Sequence, residues 1–182
     1  MKFSKSSLWE ITKVIIISVL LATFVRTFII QPFAVRGSSM ESSFAQGDYL
    51  IINKISYYFS KPARGDVVVF RAPNEKSIYF IKRIIGLPGE RVELQKDQIK
   101  IFSLENPNGF VLDEIFYDII LGNKNETSIL LGDNEYFVLG DNRRASRDSR
   151  SWGALPKENL IGKVLLRAWP IDHVKAFGEI EY

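Results

Sequence analysis

Tyr79-Phe80-Ile81-Lys82-Arg83-Ile84-Ile85, closed by Gly86-Leu87-Pro88-Gly89, decides how this chain folds. An aromatic and isoleucine-rich run ending in a Pro-Gly turn reads as a β-strand. Such a strand buries much of its length, so Lys82 and Arg83 in its middle are conspicuous. Alternation sends their side chains to opposite faces. Working outward, residues 48–53 (Asp-Tyr-Leu-Ile-Ile-Asn) and 66–71 (Asp-Val-Val-Val-Phe-Arg) read as earlier strands. Residues 91–94, 98–102, 128–131 and 136–139 are further strand candidates, and 162–169 reads as a closing strand. Turns fall at 61–65 and 87–89. No long amphipathic helix and no internal repeat follows residue 32. The polar stretch 104–125 is the least patterned, which makes 94–131 a variable, β-rich subregion. The expected fold class is mainly β, with many non-local pairings.

The N-terminal end has another character. An apolar run over residues 14–25 continues past Arg26 through Thr27, Phe28, Ile29 and Ile30. With Ile11 and Thr12 in front, it approaches the roughly 20 residues that span a bilayer core. Lys13 and Arg26 flank the uncharged part and can snorkel toward headgroups. Lys2, Lys5 and Lys13 precede the core with only Glu10 opposing them, an arrangement that keeps an N-terminus cytoplasmic. The expected organisation is a cytoplasmic segment 1–10, a transmembrane anchor 11–31 and an extracytoplasmic domain 32–182. A cleaved signal peptide is the competing reading, because Gly37-Ser38-Ser39 resembles a small-x-small cleavage site. That site lies well beyond the apolar core, with Arg26, Pro32 and Arg36 between, which favours a retained anchor. A buried soluble helix is the third reading.

The 182 residues suit one domain plus an appendage. A net charge of +3 without a Lys/Arg-rich block gives no sign of a nucleic-acid partner. The absence of cysteine removes disulfides, thiolate catalysis and Cys-ligated zinc. His173, the single histidine, leaves no multi-histidine metal site, and its place near the far end of the chain argues against a Ser-His-Asp triad. Near the C-terminus, it is expected to be a structural or surface residue. Serine proteolysis still needs a nucleophile, a base and oxyanion donors. A lysine serves as the base if burial lowers its pKa toward the working pH. Gly37-Ser38-Ser39-Met40 offers serines in a glycine-containing turn, and Lys82 offers the lysine in an apolar strand.

These segments resemble the type I signal peptidases, bacterial Ser–Lys proteases also called leader peptidases. Gly37-Ser38-Ser39-Met40, just after the apolar span and before Gly47-Asp48, is similar to their nucleophile region. Residues 64–70 (Arg-Gly-Asp-Val-Val-Val-Phe) look like the next family strand. Lys82-Arg83-Ile84-Ile85-Gly86-Leu87-Pro88-Gly89 is similar to the lysine motif. Gly140-Asp141-Asn142-Arg143, with residues 146–153 (Ser-Arg-Asp-Ser-Arg-Ser-Trp-Gly), resembles the final motif. The resemblance implies Ser39 as nucleophile, Lys82 as general base and Ser146 as the serine that hydrogen-bonds the lysine. It implies Asp148 and Arg150 as a bracing pair, and the Ser39 backbone N–H as one oxyanion donor. Gly37 occupies a position where some members carry a donor serine, so the second donor is left unnamed. Glu41-Ser42-Ser43-Phe44 departs from the usual proline-containing sequence, and Arg144-Ala145 replaces a more usual Asp-Asn.

The resemblance further implies exported preproteins as substrates, with small residues at the first and third positions before the cut. Phe33, Val35, Met40 and Ile81 are the expected pocket residues, since they flank Ser39 and Lys82. Core packing is the alternative for each. Tyr57, Tyr58, Phe59 and Trp169 suit a lipid interface or, equally, the core. No metal and no other cofactor is expected, and activity should rise with pH through the Lys82 pKa. The expected location is the bacterial cytoplasmic membrane, with the catalytic domain outside the cytoplasm. A repressor-type Ser–Lys protease would carry a DNA-binding region where this chain has its apolar span. A conjugation-type peptidase with one dedicated substrate, or a non-catalytic scaffold, remains as an alternative.

Overall fold

The computed structural model describes residues 5–95, 98–112 and 127–177. The chain begins with helix α1 (Lys5–Phe24), whose Ile, Val and Leu side chains point outward on all sides. It runs on through a π-helical turn, Val25–Ile29, and stops where Ile30 turns extended (φ −132°, ψ 146°). Leu8–Ile29 is long and apolar enough to cross a membrane, with none of its most apolar window buried by the protein. The expected anchor runs to residue 31, two residues beyond this span. Ile30 and Gln31 belong to a strand, held opposite Asn53 and Ile52. Lys2, at the expected cytoplasmic end, lies outside the described residues.

Among the described residues, the body is built from twelve strands and two short α-helices. In chain order these are β1 (Ile30–Ala34), β2 (Tyr49–Asn53), α2 (Ser56–Phe59), β3 (Val67–Ala72) and β4 (Glu75–Gly86). There follow β5 (Arg91–Gln95), β6 (Gln98–Phe102), β7 (Phe110–Val111), β8 (Thr127–Leu130) and β9 (Glu135–Leu139). The last are α3 (Ser149–Trp152), β10 (Leu155–Pro156), β11 (Leu160–Trp169) and β12 (Lys175–Ala176). The larger sheet runs β1-β2-β11-β3-β4-β9-β10, with β12 added to β11. The smaller runs β7-β6-β5-β8. Every described pairing is antiparallel. The mainly β fold read from the sequence is the fold observed.

Local sequence explains the two kinds of strand. β3 opens with Val67, Val68, Val69 and Phe70, all buried, because it lies inside the large sheet with cover on both faces. β5 and β6 instead bury alternate residues, Val92 and Leu94 against Ile99 and Ile101. Those four residues, with Ile85, Leu112, Leu131, Phe137 and Leu139, form one apolar cluster beneath the small sheet. Met40, Phe44, Leu50, Ile52, Val67 and Val69 belong to a second cluster under the segment that follows β1. Met40 is 1% exposed, so the expectation that it lines a substrate pocket is corrected. Its thioether packs the turn behind Ser39 onto the sheet. Much of the variable stretch, residues 113–126, lies outside the described residues.

Candidate active site

β4 and the segment after β1 bring the two expected reactive groups together. Val68 pairs with Lys82 and Val67 with Arg83, which fixes β4 on β3 and sends consecutive side chains to opposite faces. Lys82 Nζ lies 2.6 Å from Ser39 Oγ and 2.8 Å from the Ile81 carbonyl oxygen. Its side chain sits among apolar neighbours, with the ammonium 5.5 Å from the Phe80 ring centroid. Only 2% of the residue is exposed. Burial lowers the Lys82 pKa from 10.5 to about 8, while the carboxylates of Asp148 and Asp141 pull it back upward. A lysine held there is neutral over part of the mildly alkaline range, and can accept the proton of the hydroxyl it touches.

Arg83 holds the same strand from its other face. Its guanidinium makes a two-pronged contact with Asp141, Nε to Oδ1 at 2.9 Å and Nη2 to Oδ2 at 2.7 Å. Nη1 donates to the Gly65 carbonyl at 2.8 Å, and Nη2 reaches Ser43 Oγ at 3.4 Å. Sequence reasoning missed Asp141 and Arg83 as a pair. The available signal was an arginine inside the apolar run of β4 and an aspartate just after the apolar strand β9. Asn142 adds a backbone tie, its N–H donating to the Ser39 carbonyl at 3.1 Å. Its side chain donates to Glu41 at 3.4 Å, so Glu41 in the divergent segment after Met40 braces the same loop. Ser42 in this segment has φ +87°, a region that non-glycine residues rarely occupy.

Asp148 and Arg150 meet in an ion pair. Arg150 Nε lies 2.7 Å from Asp148 Oδ1, and Nη2 lies 2.8 Å from Oδ2. Asp148 also accepts from the Gly140 N–H at 3.1 Å, and Arg150 donates to the Arg143 carbonyl at 2.7 Å. The pair thus knits the turn after β9 to the start of α3. Ser146 departs from expectation. Its hydroxyl is buried and makes no hydrogen bond among the described residues, while Lys82 directs its bonds to Ser39 and Ile81. Ser146 nevertheless stands close by. A Cβ built on Gly140 would strike both Ser146 and the Ser39 carbonyl, so only glycine fits between them.

A cleft of about 420 Å³ opens beside Ser39 and Lys82. Phe33, Val35 and Ile81 line it, joined by Leu50 and Tyr79. Sequence reasoning missed Leu50, which arrives from β2, and Tyr79, two residues before Ile81 on β4. Tyr57 is half-buried, and its hydroxyl donates to Asp66 at 3.0 Å. Tyr58 and Phe59 are each 84% exposed and Trp169 is 52% exposed. His173 is exposed beside Asp172, far from any role in this cleft. Among the described residues, no group of three His, Cys, Asp or Glu side chains is arranged to hold a metal.

Residues 8–169 match the family described as "Signal peptidase, peptidase S26". The chain is 39% identical to a probable signal peptidase I-2 of Synechocystis sp., over 91% of this chain and 75% of that protein. It is 36% identical to a signal peptidase I of Leptolyngbya laminosa, covering 95% and 85% respectively. A signal peptidase IB of Staphylococcus aureus is 31% identical over 94% of each chain. A solved signal peptidase I from Enterococcus faecalis is 31% identical, covering 57% of this chain and 97% of its own, with a TM-score of 0.47. With a buried lysine touching a serine in the cleft and a family match over nearly the whole chain, this protein belongs to the signal peptidase family of serine endopeptidases.

Proposed function

We propose that this chain is a membrane-anchored type I signal peptidase that removes signal peptides from exported preproteins, with Ser39 as nucleophile and Lys82 as general base. The contact between Lys82 Nζ and Ser39 Oγ, 2.6 Å long and made by a buried lysine, carries the reading. Neutral Lys82 takes the hydroxyl proton as Ser39 Oγ attacks the scissile carbonyl carbon. The Ser39 N–H supports the oxyanion of the tetrahedral intermediate. Lys82 then gives its proton to the departing amine nitrogen, leaving an ester on Ser39. A water molecule, deprotonated by Lys82, attacks the ester and releases the signal peptide with a free carboxylate. Ser146, Asp148 and Arg150 act as positioning residues for the strand and turn that flank Lys82.

Strand edges supply the substrate's seat. β9 pairs with β4 at Arg83, Ile84 and Gly86, and β3 covers the opposite edge at Tyr79 to Arg83. The edge of β4 before Arg83 therefore faces the cleft, across from residues 33–36. An extended peptide entering there adds as a strand, with backbone hydrogen bonds giving affinity and pockets reading alternate side chains. Phe33, Val35, Leu50 and Ile81 narrow those pockets, which supports small residues at the first and third positions before the cut. The span Leu8–Ile29 would cross the cytoplasmic membrane with its lysine-rich end inside, leaving the β body on the outer face.

The test is cleavage of a preprotein with an Ala-x-Ala site by the detergent-solubilised chain, with Ser39→Ala and Lys82→Ala variants alongside. Cleavage after the second alanine should fall at least about a thousandfold in both variants and be untouched by chelators. Its rate should rise with pH through about 8 as Lys82 loses its proton. A folded wild-type chain that leaves this preprotein intact, or cleavage that survives Lys82→Ala, would overturn the proposal.

A further inference from the structure

A second cavity lies outside the cleft, where the apolar helix meets the β body. It encloses about 650 Å³. One wall is the last part of the apolar span, with Phe24, Thr27 and Phe28. The opposite wall carries three cations, Lys54, Arg71 and Lys157, against one carboxylate, Glu158. Ser39 and Lys82 line the other cleft, and Tyr79 is common to both. The cations come from separate parts of the fold. Lys54 follows β2 and donates to the Thr27 carbonyl at 2.6 Å, fixing the helix end against the body. Arg71 sits on β3 opposite Tyr79, its carbonyl taking a hydrogen bond from Asn159 at 3.0 Å. Lys157 is exposed on the turn before β11.

We propose that this cavity holds the headgroup of an anionic phospholipid, with the phosphate among Lys54, Arg71 and Lys157 and the acyl chains lying along Phe24 and Phe28. The placement argues for a lipid rather than a soluble anion. Phosphates of the outer leaflet lie at the end of a membrane span, at the level of this wall. Phe24 and Phe28 are more than half exposed and lie ring to ring at 5.2 Å, an apolar surface running directly from the cationic wall. A cationic wall beside such a surface favours an anionic headgroup over a zwitterionic one, whose ammonium it would repel. The proposal rests on the reading that Leu8–Ile29 spans the membrane, but not on the catalytic assignment.

The test measures lipid retained by the full detergent-solubilised chain, by native mass spectrometry, after exposure to mixed micelles of equimolar phosphatidylcholine and phosphatidylglycerol. The wild-type chain should retain phosphatidylglycerol over phosphatidylcholine by about tenfold or more, given roughly 1 kcal/mol for each basic residue near an anionic surface. The triple variant Lys54→Gln, Arg71→Gln, Lys157→Gln should fall to near parity. A triple variant of equal charge change elsewhere, Lys61→Gln, Lys76→Gln, Lys175→Gln, should keep the preference. Should the first variant fail to fold, Lys157→Gln alone carries the test and should lose part of the preference. Parity in the wild type, equal loss in both triple variants, or displacement of lipid by free glycerol phosphate would overturn the proposal. Failure of the anchor reading shows separately, as a chain that stays soluble without detergent.

Discussion

The two sheets have different interiors. The four-stranded sheet covers hydrocarbon, with Val92, Leu94, Ile99 and Ile101 meeting Ile85 and Leu131. The half of the molecule built on the eight-stranded sheet buries Asp48, Asp66, Lys82, Arg83, Asp141 and Asp148. Most of these charges face an opposite one. Asp48 meets Arg167 at 2.9 Å, Asp66 meets Lys163 at 2.5 Å, and Arg83 and Arg150 each grip a carboxylate. Buried ion pairs contribute little net stability compared with well-packed hydrocarbon. What the pairs give the large sheet is fixed geometry around Lys82, whose own hydrogen bonds go to neutral oxygens. One sheet is arranged for stability, the other for holding a reactive amine in place.

Four substitutions would sharpen or break this contrast, taken from the largest expected effect to the smallest. Asp141→Ala removes the carboxylate gripped by Arg83 and should cost about 3 to 5 kcal/mol in denaturant unfolding. A loss below about 1 kcal/mol would mean that the pair does not organise the large sheet. Lys82→Met should stabilise the chain at pH 7 by up to about 3 kcal/mol while abolishing cleavage. The sign follows from the lowered pKa. Folding disfavours protonated Lys82, so its penalty is full and level below about pH 8, shrinks as pH rises from 8 to 10.5, and is gone above that. The advantage of the methionine variant should therefore vanish at high pH, and a constant advantage would assign it to packing instead.

Ile101→Val, in the hydrocarbon interior of the small sheet, should cost about 1 kcal/mol and leave the cleavage rate of the folded enzyme unchanged. A change in rate would show that the two sheets are coupled. Ser42→Gly relieves a positive φ at some cost in unfolded-chain entropy, and should stabilise by about half a kcal/mol. A destabilised glycine variant would show that the Ser42 side chain contributes more than its backbone strain.

Strands with a strong local pattern were legible in the sequence. β6 matches its expected bounds, and β2, β3, β5, β8 and β9 fall within a residue or so of theirs. β4 is longer, because its outer third, residues 75–78, is exposed and mostly polar and carries no apolar alternation. β1 was hidden in the tail of the apolar span, since a run of Ile, Gln, Pro and Phe looks the same entering a membrane or a sheet. β10 and β12, of two residues each, exist only through their partners. At the site, sequence brought Ser39 and Lys82 to attention, and the structure has them in contact. Whether Met40 faced cleft or core depended on the turn after Ser39, which no local pattern specified. The missing bond from Ser146 to Lys82 likewise depends on the lysine's choice between nearby oxygens.

A base made by burial behaves unlike one whose pKa is intrinsic. On the proposed mechanism Lys82 would owe its role as base to the dry packing around it, since an opening that lets water reach the amine returns it toward 10.5 and leaves it protonated. A partly unfolded copy would then hold Ser39 beside a protonated lysine. The proposed pair would work only in the packed state, with the fold acting as its own safety catch.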